Sequence, residues 1–100
     1  MADLIIVYWR DIPAKVIVRK GRQNAKRELP LRFTEAIDMA AMRSGAAETD
    51  AYLAEWRKAD PVPVGDDLEA EVAKAAVELD RQYDRERLVA LAKAGGKENG

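Results

Sequence analysis

A run of six residues near the N-terminus, Leu4-Ile5-Ile6-Val7-Tyr8-Trp9, limits the fold more than anything else in the sequence. It is aliphatic and aromatic throughout, too short for a helix, and has no polar alternation. Such a run predicts a strand buried on both faces, or on one face and a flank. Arg10-Asp11-Ile12-Pro13 follows. Proline cannot donate to a ladder, so the chain is expected to turn there. Ala14 to Lys20 then alternates, with Ala14, Val16 and Val18 on one face and Lys15, Ile17 and Arg19 on the other. The two runs predict an antiparallel hairpin. A lone hairpin is marginal in water, so other elements must cover it.

The rest of the chain supplies them. Gly21 ends the second strand, and Arg22 to Arg27 reads either as a helical turn or, over Lys26 to Leu29, as a short third strand. Pro30 suits a helix start, Phe33, Ile37, Ala40 and Ala41 recur at helical spacing through Thr34 to Ser44, and Gly45 is a natural stop. Thr49 is the expected N-cap of a short second helix with Tyr52, Leu53 and Trp56 on its apolar face. Asp60 to Gly65, with Pro61 and Pro63, reads as a stiff extended connector. Asp66 and Glu69 resemble a capping box for a helix carrying Leu68, Val72, Ala75, Ala76, Leu79 and Tyr83 on one stripe. That helix either runs on to Ala94 or breaks near Asp84. The expected fold is α+β: an N-terminal antiparallel hairpin, with or without a third short strand, covered by two or three helices. One domain over 1–94 and a tail over 95–100 are expected. The predicted core is Ile5, Val7, Val16, Val18, Phe33, Ile37, Leu53, Trp56, Val72 and Leu79.

Composition narrows the chemistry. Hydrophobic residues make up 48% of the chain, too many for disorder even with 35% charged. There is no Cys and no His, which removes disulfides, thiolate nucleophiles, imidazole bases and Cys/His zinc sites together. The acids fall on predicted solvent faces, where helix-dipole and i,i+4 pairing account for them. No glycine-rich phosphate loop is present, since Gly21 stands alone in its segment. No enzyme activity, cofactor or metal is therefore expected. The N-terminal apolar run is too short for a secretory signal or a membrane span, so a soluble, cytoplasmic protein is expected.

Charge is balanced in total and uneven along the chain. From Arg10 to Arg32 there are eight bases against two acids, and from Phe33 to Gly100 nine bases against fifteen acids. The basic segment suggests a contact surface, with Arg10, Lys15, Arg19 and Arg22 as candidate partner-binding residues alongside Lys20, Lys26 and Arg27. Trp56 is a candidate interface anchor, because tryptophan is enriched among the residues that carry binding energy. Two partners fit this pattern. One is an acidic protein surface. The other is a nucleic acid, with bases on phosphates and Tyr8 or Trp9 as a stacking ring. A net charge of −1 lacks the strongly basic footprint of a dedicated nucleic-acid binder.

Three blocks carry a family resemblance: Tyr8-Trp9-Arg10-Asp11-Ile12-Pro13, Leu29 through Arg43 (LPLRFTEAIDMAAMR), and Thr49 through Trp56 (TDAYLAEW). In this order and spacing the chain resembles the small alphaproteobacterial "virulence factor" family proteins. A similar domain closes the larger conserved virulence factor C proteins. The resemblance covers about residues 4–58 and carries over no catalytic residue. It implies an accessory subunit or adaptor, with a methyltransferase or one-carbon enzyme of folate-linked or corrinoid methyl transfer as the protein partner.

Overall fold

The apolar N-terminal run becomes the middle of a sheet. A computed structural model describes residues 1–46 and 48–97. In chain order the elements are β1 (Ala2–Trp9), β2 (Ile12–Lys20), β3 (Gln23–Glu28), α1 (Leu31–Ser44), α2 (Thr49–Ala54), β4 (Trp56–Lys58), β5 (Val62–Val64), α3 (Leu68–Gln82) and α4 (Arg85–Lys93). The fold is α+β. β1, β2 and β3 form an antiparallel meander, and β4 and β5 pair antiparallel with the far edge of β1.

Local chemistry accounts for most boundaries. The loop between β2 and β3 has two residues and needs a positive φ at the first, which Gly21 supplies at +59°. The third strand therefore starts earlier than Lys26, and the helical-turn alternative for Arg22 to Arg27 is not adopted. The turn expected at Pro13 is instead made by Arg10 and Asp11, and Pro13 lies inside β2 opposite Tyr8. The register slips there, and at such a bulge a missing N–H is tolerated. Gly45 ends α1 at φ +77°, and its N–H and that of Ala46 both reach the Ala41 carbonyl.

Several expectations are corrected. α2 stops at Ala54, so Trp56 lies on a strand rather than on that helix, half-buried. Leu53 is 59% exposed and is not core. Thr49 is the first helical residue, not the cap, and Glu48 precedes it without a capping side chain. The Asp60 to Gly65 connector contains β5, whose Val62 pairs with Leu4. Asp67 rather than Asp66 caps α3, accepting from the Ala70 N–H at 3.2 Å. Gly95 and Gly96, where a tail was expected to begin, are buried and bonded to the hairpin turn. Residues 98–100 of that tail lie outside the described residues.

The main core lies between the sheet and the helices. α3 packs across β2 and β3, placing Val72, Ala76 and Leu79 in one cluster with Val16, Val18 and Ala25. α1 brings Phe33, Ile37, Ala40 and Ala41 into it and packs on α4, which adds Leu88, Leu91 and Ala92. The helical run does break near Asp84, whose carboxylate caps α4 by accepting from the Arg87 N–H at 2.8 Å. Asp84→Ala is expected to destabilise the protein by about 0.5–2 kcal/mol, read from the urea midpoint.

Candidate functional site

Residues directly opposed across antiparallel strands share a face of the sheet. The register sets Leu4, Val18 and Ala25 in one row and Ile6, Val16 and Arg27 in the next, all on the face that meets α3. The rows between them belong to the other face: Asp3, Arg19 and Asn24; Ile5, Ile17 and Lys26; Val7, Lys15 and Glu28, with Lys58 on the far side of Val7. Ile5 and Val7 are buried, as expected, but outside the helix-packed cluster. This second face is thus a strip of Ile5, Val7 and Ile17 edged by Lys15, Arg19, Lys26 and Lys58. Among the described residues no ion pair holds any of these four bases.

The structure divides the basic residues that the sequence grouped. Lys15, Arg19 and Lys26 come together. Lys20 points to the α3 side, where its ammonium lies 3.2 Å from Asp66 and the hydrogen bond holds that carboxyl below its ordinary range. Arg27 shares that side, and Arg22 sits exposed in the turn. Lys58 was missed because a three-residue strand has no periodicity to read. Only its pairing with Val7 puts it on this face.

Arg10 stands apart, in the hairpin turn, with a side chain only 15% exposed. Its backbone takes the left-handed φ of +54°, uncommon outside glycine. Its guanidinium donates to the Gly95 carbonyl at 2.8 Å and to Glu55 at 3.2 Å, and lies 5.0 Å from the centre of the Trp9 ring. Arg57 in turn donates to the Arg10 carbonyl at 2.8 Å and to Asp11 at 3.3 Å, and covers the Tyr8 ring. The Asp11 N–H reaches the Gly96 carbonyl at 2.8 Å. These bonds fasten the turn to β4 and to the end of α4. They are a structural use of Arg10, set away from the basic strip.

The aromatic residues are also held within the fold. Trp9 is 0% exposed, and its indole N–H donates to the Tyr52 carbonyl at 2.9 Å. The Tyr52 ring lies 5.7 Å from Trp9 and meets Trp56 edge-on at 5.8 Å, and burial pushes the Tyr52 phenol above its ordinary pKa. Tyr8 lies beneath Arg57, and neither it nor Trp9 offers a free ring on the basic strip. The stacking half of a nucleic-acid interface therefore lacks its platform. Trp56 is half-buried on β4, and Leu53 is exposed on α2.

A groove of 430 Å³ between α1 and α4 is lined by Ala36, Met39, Leu88 and Val89, with Arg32 and Arg85 at its rim. Arg32 is held by Asp80. Among the described residues no group of three or more acids is placed to hold a metal ion, and no helix is long and apolar enough to cross a membrane.

The sequence profile of the Virulence factor family matches residues 7–92. The match runs well past Trp56 and takes in α3 and nearly all of α4, so the likeness is not confined to the first 58 residues. Neither the curated proteins nor the solved structures contain a match to this chain.

Proposed function

The chain belongs to the Virulence factor family, and from that premise we propose that it is a non-catalytic accessory protein that docks on an acidic surface of a partner protein. The observation that carries this reading is the set of four bases, Lys15, Arg19, Lys26 and Lys58, on one sheet face without ion-pair partners among the described residues. Asp3 and Glu28 are the acids of the same rows, so the face stays net basic. Of the apolar strip, Ile5 and Val7 are already buried, and the half-buried Ile17 supplies contact area once the charges have steered the encounter. Arg22 extends the charge into the turn, and Trp56 offers a secondary contact. The family resemblance supplies the class of partner, a methyltransferase or one-carbon enzyme of the cytoplasm.

The test is capture from the native cell, followed by association kinetics with the captured partner. Lys15→Glu combined with Arg19→Glu is expected to slow association by about tenfold while changing dissociation little, because rim charges act mainly on encounter. Raising salt should erase the difference. Unchanged association would overturn the reading. Loss of RNA or DNA binding instead, with affinity falling steeply with salt, would favour the nucleic-acid alternative.

A further inference from the structure

The basic strip ends at a strand with one side open. Among the described residues β3 pairs only with β2, and five of its six residues are exposed. The direction of its backbone groups follows from two hydrogen bonds. The Leu29 N–H reaches the Ala14 carbonyl at 3.1 Å, and the Ala59 N–H reaches the Ile6 carbonyl at 2.9 Å. In an antiparallel ladder the direction alternates residue by residue. Both anchors give the same phase: Ala25 and Arg27 bond to β2, while the N–H and C=O groups of Asn24, Lys26 and Glu28 point away from the sheet. Among the described residues no hydrogen bond reaches those outward groups.

The opposite margin offers no such template. β4 and β5 have three residues each, and by the same phase Pro63 occupies the outward position of β5, where it has no N–H to give. β3 is also backed by α3, with Ala25 buried against it, so its edge is held in place.

We infer that the open edge of β3 receives an extended acidic segment of the partner protein as an added antiparallel strand. Charge selects the occupant. Arg22, Lys26 and Arg27 line the edge, with Glu28 its one acid. A second copy of β3 pairing about its centre sets Lys26 against Lys26, which disfavours self-association. A segment with acids at alternate positions meets Lys26 on one face or Arg27 on the other, and its main chain satisfies the outward groups. This inference rests on the acidic-partner reading above and specifies how the partner is held.

Lys26 permits a clean test, because its N–H faces outward. Lys26→Pro deletes one outward donor without removing a bond to β2, while Lys26→Gln removes the charge and keeps the donor. The probe is a synthetic seven-residue peptide of alternating Glu and Thr, titrated into the full-length ¹⁵N-labelled protein. The expected result is perturbation and slowed exchange of the Asn24, Lys26 and Glu28 amides. Affinity is expected to fall a few-fold in Lys26→Gln and at least tenfold in Lys26→Pro. Circular dichroism checks that both variants fold, and Asn24→Pro replaces Lys26→Pro if the latter does not. A peptide N-methylated at every residue, which has no main-chain donor on either edge, should not bind. Equal binding by the proline and glutamine variants, equal binding of the N-methylated peptide, a dimer formed through β3, or no binding at millimolar peptide would each overturn the inference. None of these touches the sheet-face reading, which falls only if the Lys15→Glu, Arg19→Glu variant associates with its partner as the wild type does.

Discussion

Trp9→Ala is expected to lower the stability of the protein by about 3–5 kcal/mol, within the range for truncating a fully buried aromatic. Trp9 sits where the hairpin, α2 and the end of α4 meet. Its ring packs against Tyr52, and a Cβ added at Gly96 would stand 3.0 Å from it. The substitution removes this buried ring and also takes the indole donor from the Tyr52 carbonyl, which keeps the Glu55 N–H at 3.3 Å. A domain of this size has roughly 5–15 kcal/mol in total, so the loss is a large share. Urea unfolding should show a much lower midpoint at nearly unchanged slope. Trp9→Phe should fall between the two, since it keeps one buried ring but loses the hydrogen bond and part of the indole's volume. A midpoint for Trp9→Ala close to wild type would show that this corner does not hold the fold together.

Ile37→Ala is expected to be destabilising by about 2–5 kcal/mol. Ile37 is buried on the stripe of α1 that faces the core, beside Phe33, Ala40 and Ala41. Leu53→Ala is its contrast. Leu53 has similar bulk, but most of its surface is in water, so its truncation should change stability by no more than about 0.5 kcal/mol. Thermal or urea denaturation of the two variants side by side checks the assignment of both residues. An Ile37→Ala variant within a few tenths of wild type would remove α1 from the core.

The contrast also marks how far the sequence could be read. The hairpin and α1 with its glycine stop were legible because each rests on local rules, namely alternation, helical spacing and turn residues, while the break at Asp84 stood as one of two alternatives. Leu53 and Trp56 were not. A helix read through Trp56 puts both on one apolar face, whereas the chain leaves the helix at Ala54 to give Arg57 and Lys58 to β1. β4 and β5 are strands because β1 has outward backbone groups to satisfy, and that demand lies some fifty residues away in sequence. The basic cluster was half legible for the same reason. Composition found Lys15, Arg19 and Lys26, and alternation sets Lys20 apart, but only the register across Gly21 separates Arg27 from Lys26's row, and only the pairing of β4 with β1 adds Lys58. Arg10 was read as a candidate contact base that could equally hold the hairpin turn, and nothing local to it foretells its bond to the carbonyl of Gly95.

During synthesis the meander of β1 to β3 leaves the ribosome well before residues 56–64 do. At roughly 5–20 residues per second, the delay of about thirty residues between β3 and β4 lasts on the order of a few seconds. Through that interval the outer side of β1 has no partner, and it exposes unpaired backbone along the most apolar stretch of the chain. The nascent protein is therefore most prone to aggregate before it is complete, and a holdase acting on it should recognise Leu4 to Trp9. Arrival of Trp56 to Lys58 and then Val62 to Val64 closes this edge. Pro63, facing outward from the last strand to arrive, then denies a donor to any chain that would extend the sheet further.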